Sequence, residues 1–225
     1  QTINKVKRLE NSHSKKNITQ STTRLMFSYG LGDAGTGLVA TQFGFFLFKF
    51  FISAGLPVII AGSLLMLIKI WDAVNDPLIG WLSDRTKSRW GPRIPWMVAA
   101  SVPLGFSLAA IWWTPTGSVL TKTIYYAIIS IVVMTAYTSI NLPFAALSTE
   151  ISEKTAIRTR LNASRFTGSI IAGLTGLIIA GIVLGSEGSA NNEYFLMGKI
   201  SGCIAVAATL ISCWGLAPFA KKARR

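Results

Sequence analysis

Six stretches of this chain, near residues 25–52, 57–82, 95–114, 121–149, 162–185 and 194–219, are apolar for at least the roughly 20 residues that a helix needs to cross a bilayer. Hydrocarbon offers no partner to a free backbone N–H or C=O, so a chain of this kind satisfies them within helices. The expectation is an all-α, polytopic membrane protein made of one bundle of six transmembrane helices. These spans take up about two-thirds of the 225 residues, which leaves no room for a soluble catalytic domain. A hydrophobic content of 51%, a charged content of 14% and a mean hydropathy of +0.48 point the same way.

A formal charge of +13 would suggest nucleic acid in a soluble protein. Here its distribution argues topology instead. Lys5, Lys7, Arg8, Lys15, Lys16 and Arg24 lie in the tail 1–24, and Arg85, Lys87, Arg89 and Arg93 follow the second span. Lys154, Arg158, Arg160 and Arg165 lie between or at the mouth of spans four and five, and Lys221, Lys222, Arg224 and Arg225 close the chain. These 18 of the 22 basic residues fall on one side of an even-numbered bundle, while the loops near 53–56, 115–120 and 186–193 carry almost none. The positive-inside rule places both termini in the cytoplasm of a cell whose plasma (inner) membrane the protein spans, with no nucleic-acid partner. No secretory signal peptide is expected, because residues 1–24 are polar and basic and lead directly into span one.

The stretch YGLGDAGTGL, Tyr29–Leu38, places Gly30, Gly32 and Gly35 at the G-x-G-x-x-G spacing of a dinucleotide-binding turn. It lies inside an apolar run, without the preceding strand that such a turn requires. Small residues such as these and Gly37 in a membrane span let neighbouring helices approach closely and slide, and Gly168, Gly173, Gly176, Gly181 and Gly185 are expected to do the same in span five. Cys203 and Cys213 are ten residues apart on one span, about 15 Å, so they cannot form a disulfide. His13 has no metal-ligating companions in its polar tail. No nucleophile–base pair, metal cluster or phosphate loop suggests an enzyme, and no cofactor is expected.

The informative residues are ionisable groups within the spans, since each is costly in hydrocarbon. Span two ends with KIWDAVNDPLIGW, in which Asp72 and Asp76 share a helical face one turn apart and Asn75 adjoins them. Two carboxylates so close in a low dielectric require compensation by a proton or a cation. Two carboxylates and an amide carbonyl suit a hard monovalent cation, and Lys69 offers a charge partner. The competing reading, an Asp-Pro helix cap or kink at Asp76-Pro77, does not account for the whole group. Span four contributes Thr138, Ser139 and Asn141 before Pro143. Thr138 is placed to add a hydroxyl to the cation site and Asn141 to face a central cavity, although an ordinary proline kink explains the spacing equally well. Asp84, Arg85, Arg89 and Arg93 crowd the loop after span two and suggest a cytoplasmic gating latch in which Asp84 holds a helix end or an arginine.

The run KIWDAVNDPLIGWLSDRTKSRWGPRIPW resembles the signature of the glycoside–pentoside–hexuronide:cation symporters, the melibiose permease group of the major facilitator superfamily. YGLGDAGTGL resembles that group's first helix, YTSINLPFAAL its fourth and SRFTGSIIAG its fifth. The resemblance implies two six-helix bundles with alternating access between them, and coupling to Na+, H+ or Li+. It places Asp72, Asn75, Asp76 and Thr138 on the family's cation site, Lys69 near it, and Arg165 beside the sugar. The permease's acidic sugar-binding positions on helices one and four read Gly37 and Asn141 here. Its sugar-stacking Trp reads Ala145, and a helix-one Lys reads Thr36. Asp33, one turn before Gly37, is the candidate replacement. The solute cavity is therefore expected to use Asp33, Gly37, Asn141 and Arg165. A different glycoside, an acidic sugar held by Arg165 and a lysolipid-like solute all fit this set.

The resemblance calls for about twelve helices. The 225 residues are therefore expected to be the N-terminal six-helix half, with 220–225 starting a linker to a second half in the same polypeptide or another chain. The expected function is symport of a glycoside-like small molecule across the lipid bilayer, coupled to a cation. Na+ is preferred because Thr138 and Asn75 add ligands that a proton does not need. The alternative is a non-transporting scaffold subunit of a larger complex, against which the Asp72/Asp76 pair counts.

Overall fold

A computed structural model describes residues 23–151, 155–185 and 190–222. Of the expected tails 1–24 and 220–225, residues 1–22 and 223–225 lie outside the described residues, with His13, most of the N-terminal basic residues, Arg224 and Arg225, as do Lys154 and residues 186–189 of the loop near 186–193. The rest forms six long helices: α1 (Thr23–Ser53), α2 (Val58–Arg85), α3 (Ile94–Ile111), α4 (Val119–Ile151), α5 (Thr155–Leu184) and α6 (Ala190–Lys222). Each is long and apolar enough to cross a membrane. The helices extend a turn or so past the apolar runs at several ends; α5 begins at Thr155 because helical hydrogen bonding continues through the polar sequence that precedes its apolar part.

Helices α1 and α6 are the inner pair, each with half of its apolar window buried, against 22% for α2. α1 packs on α5 and α6, α6 on α3, α3 on α4, and α4 on α2. The α1–α5 contact depends on glycine. A Cβ on Gly168 would stand 3.1 Å from the Cα of Gly30, and one on Gly30 would stand 2.9 Å from the Ser164 carbonyl oxygen. Ser164 Oγ then reaches the Met26 carbonyl at 2.5 Å. The glycines that looked like a nucleotide turn are thus a helix contact. Gly181, expected to repeat this device, faces open space, because that side of α5 is turned away from the bundle.

Two apolar clusters close the bundle. One is aromatic and joins the ends of four helices: Phe50, Phe51, Trp112, Tyr126 and Tyr194 are buried together, with Trp112 and Tyr194 stacked at 5.7 Å. Lys122 caps this end of α1, its Nζ donating to the Ala54 carbonyl at 2.7 Å. The other cluster gathers Tyr29, Ile94, Met97, Phe144, Leu147, Leu161 and Leu216. Cys213 is buried in it, Cys203 is exposed, and both are free thiols. Most functional candidates lie between these two clusters or beside them.

Candidate cation and solute site

Asp33 interrupts α1. Regular helix resumes at Ala34, and the buried Asp33 carboxylate accepts the Thr36 hydroxyl at 2.8 Å. Its other oxygen, Oδ2, faces Arg165 Nε of α5 at 3.1 Å as an ion pair. The Nε hydrogen is not aimed at that oxygen, so the contact is Coulombic rather than a formed hydrogen bond. Arg165 also donates from Nη2 to Asn141 Oδ1 of α4 at 2.8 Å, with its guanidinium 5.6 Å from the centre of the Phe144 ring. The Tyr29 hydroxyl donates to the Phe144 carbonyl at 3.0 Å, and the two rings stack at 4.5 Å. Three of the four solute-cavity candidates therefore form one array across α1, α4 and α5. Gly37 does not join it: the added Cβ would run into Ser169 of α5, including its carbonyl oxygen at 2.7 Å, so Gly37 serves the helix contact.

The second group lies between α2 and α4. Thr138 donates to Asp72 Oδ1 at 3.4 Å, and Asn75 is buried with its Nδ2 donating to the Met134 carbonyl at 3.5 Å. One turn beyond Asp72, Asp76 is exposed, with the Asp72 carboxylate and the Thr138 hydroxyl as its electrostatic neighbours. Thr138 stands between the two carboxylates. Trp71 fixes the register of this face, its Nε1 donating to Thr135 Oγ1 at 3.0 Å. Asp72 and Lys69 line a cavity of about 310 Å³ with Tyr137 and residues of α1. Lys69 is exposed and makes no ion pair among the described residues.

At the end of the bundle where α2 meets α3, Arg93 bridges two acids. Its Nη2 lies 3.1 Å from Asp84 Oδ1 and its Nε 2.7 Å from Glu150 Oε1 at the end of α4. Arg85 instead lies over the Trp81 ring, 4.1 Å from its centre, and Arg89 is exposed. The chain leaves this loop through Gly91, whose φ of +95° suits glycine. Glu150 was not among the sequence candidates. It falls one residue past the apolar run near 121–149, and an acid there reads as a solvated helix end until α4 is placed beside Arg93. Trp71 was likewise invisible as a hydrogen-bond donor, because an aromatic residue in a span reads as core.

Six helices long and apolar enough to cross a membrane, with a carboxylate, an arginine and amides meeting between them, define a polytopic membrane protein. A family profile described as MFS/sugar transport protein matches residues 28–225, and the chain belongs to that family. An uncharacterised symporter from Synechocystis is 38% identical over 200 residues, covering 86% of this chain and 36% of the relative. A glucuronide carrier protein homologue of Escherichia coli is 28% identical over 166 residues, 73% of this chain and 36% of the relative. A sodium-dependent lysophosphatidylcholine symporter of Xenopus tropicalis is 27% identical over 168 residues, 74% of this chain and 32% of the relative. The chain spans about a third of the length of these relatives.

Proposed function

We propose that this chain is the cation-coupling bundle of a symporter that carries a glycoside-like solute by alternating access, with Na+ as the coupling ion. The observation that carries the reading is the convergence of Asp72 and Thr138 across the α2–α4 contact, with Asp76 one turn away and Asn75 beside them. Two carboxylates separated by about one turn of helix repel, and a monovalent cation between them offsets that repulsion and draws α2 towards α4. The hydroxyl of Thr138 and the amide of Asn75 supply neutral oxygens of the kind a hard ion prefers. The sodium dependence in the name of the lysophosphatidylcholine symporter supports Na+ over a proton.

Coupling follows from the position of α4. It carries Thr138 towards the cation and Asn141, three residues on, towards Arg165. Occupying one site therefore biases the helix that shapes the other, and the bias is reciprocal. The Asp84–Arg93–Glu150 bridge joins the ends of α2, α3 and α4 and serves as the cytoplasmic latch of this cycle, opening when those ends separate. A second six-helix bundle, in the same polypeptide or another, completes the pathway.

The test is calorimetric titration of the purified chain with Na+, with K+ as the control ion. Saturable Na+ binding that is lost in Asp76→Asn, while the helical spectrum is retained, is the expected result. Unchanged Na+ binding in that variant would remove the cation assignment.

A further inference from the structure

We propose that Asp33 sets the charge selectivity of the solute site, making it a site for neutral, hydroxyl-rich solutes that excludes carboxylates and phosphates. The inference rests on the reading of Asp33, Asn141 and Arg165 as solute-contacting groups and names the substrate class that they select.

An arginine alone in a membrane interior would attract an anion. Arg165 is not alone. Its Nε stands 3.1 Å from Asp33 Oδ2, and both side chains are largely buried, at 16% and 7% exposure. Asp33 is also held from the other side, because its Oδ1 accepts the Thr36 hydroxyl. An anionic solute would have to displace a tethered, hydrogen-bonded carboxylate of the same chain, or share one guanidinium with it at the cost of repulsion between two buried negative charges. Asp72 and Asp76 add to the negative field from α2.

What the array offers instead suits hydroxyls. Arg165 has five N–H donors, of which one is engaged by Asn141 Oδ1. Asn141 makes no other hydrogen bond among the described residues, so its amide N–H groups are available. Asp33 Oδ2 faces a guanidinium whose Nε hydrogen points elsewhere, leaving acceptor capacity. Donors and an unsatisfied acceptor side by side, with no net charge, match a group that donates and accepts at once. A sugar hydroxyl does so, and a carboxylate only accepts.

The test compares two probes that differ mainly at one carbon, p-nitrophenyl glucoside and p-nitrophenyl glucuronide, bound to the purified chain in Na+ by equilibrium dialysis. The wild-type protein is expected to prefer the neutral probe by on the order of tenfold or more, the discrimination expected for one uncompensated charge in a partly screened site. Asp33→Asn keeps the shape and frees Arg165, and is expected to raise glucuronide affinity by about tenfold while weakening the glucoside. Asp33→Glu, which keeps the charge, is expected to retain the wild-type order. Preferential binding of glucuronide by the wild-type protein would overturn the inference without any variant. So would an unchanged probe order in a helical, monodisperse Asp33→Asn protein. If neither probe binds although Na+ does, the inference fails and the cation site stands. Loss of Na+ binding instead strikes at the symporter reading itself.

Discussion

The Arg93 bridge permits a prediction whose magnitude can be worked from geometry. Arg93 is 14% exposed and meets Glu150, 23% exposed, at 2.7 Å, and Asp84, 63% exposed, at 3.1 Å. The two acids resemble each other in sequence but not in energetic weight. Exposed pairs typically contribute about 0–1 kcal/mol, because water screens the charges and ordering two side chains costs entropy. A charge-assisted bond between largely buried groups contributes about 1.5–3 kcal/mol. Glu150→Gln preserves shape and an acceptor oxygen, so only the charge is lost, and the expected cost is about 1.5–2 kcal/mol. Asp84→Asn is expected to cost less than about 1 kcal/mol. The assay is unfolding of the purified chain in mixed micelles, with both variants crossed against Arg93→Gln in double-mutant cycles. Coupling of Arg93 to Glu150 should exceed its coupling to Asp84 by at least twofold or so. Equal couplings, or a larger effect at Asp84, would refute the argument that burial ranks these two bridges.

Three further outcomes follow from particular contacts. Gly168→Leu should separate α1 from α5 and prevent stable folding, whereas Gly181→Leu on the open side of the same helix should be tolerated; thermal melts of the two variants decide this. Trp71→Phe removes the donor to Thr135 at 3.0 Å and should weaken Na+ binding by about two- to fivefold, the effect of about one hydrogen bond at most, as measured by calorimetry. Lys122→Met removes the cap on the Ala54 carbonyl and should raise amide exchange at Gly55 and Leu56, with a stability loss of about 1 kcal/mol.

The membrane architecture was legible because hydrocarbon imposes it: six apolar runs became six helices, with ends differing by a few residues where polar helical turns continue past the apolar part. Periodicity also brought Asp72, Asn75 and Asp76 together, since groups three and four residues apart on a helix must share a face. Contacts between helices were not legible in the same way. That Asp33 and Arg165 compensate each other depends on the rotation of α5 against α1, which glycine and serine contacts at Gly30, Ser164 and Gly168 determine. Gly37 looked like a cavity position, yet the close approach of Ser169 fills the space beside it. Glu150 needed the placement of α4 to become a partner of Arg93.

These contacts converge on α4. Within one helix, Thr138 reaches Asp72 of α2, Asn141 reaches Arg165 of α5, the Phe144 carbonyl receives Tyr29 of α1, and Glu150 holds Arg93 at the start of α3. Thr138 and Asn141 are separated by about 4.5 Å along the axis. Pro143 follows them and removes the backbone donor that would bind the Ser139 carbonyl, so the helix is weakest between Thr138 and Glu150. A displacement of Thr138 towards a bound cation can therefore be taken up locally, by bending near Pro143, and delivered to Asn141 and Arg165. The Arg93 bridge at Glu150 lies on the far side of Pro143, so the latch end of α4 need not follow that displacement. Replacing Pro143 with Ala restores the missing hydrogen bond and stiffens this hinge. The expected result is normal Na+ binding with a smaller effect of Na+ on glucoside affinity, measured by titrating each ligand at saturating and zero concentrations of the other. Full coupling in a folded Pro143→Ala protein would show that α4 transmits the bias as a rigid rod.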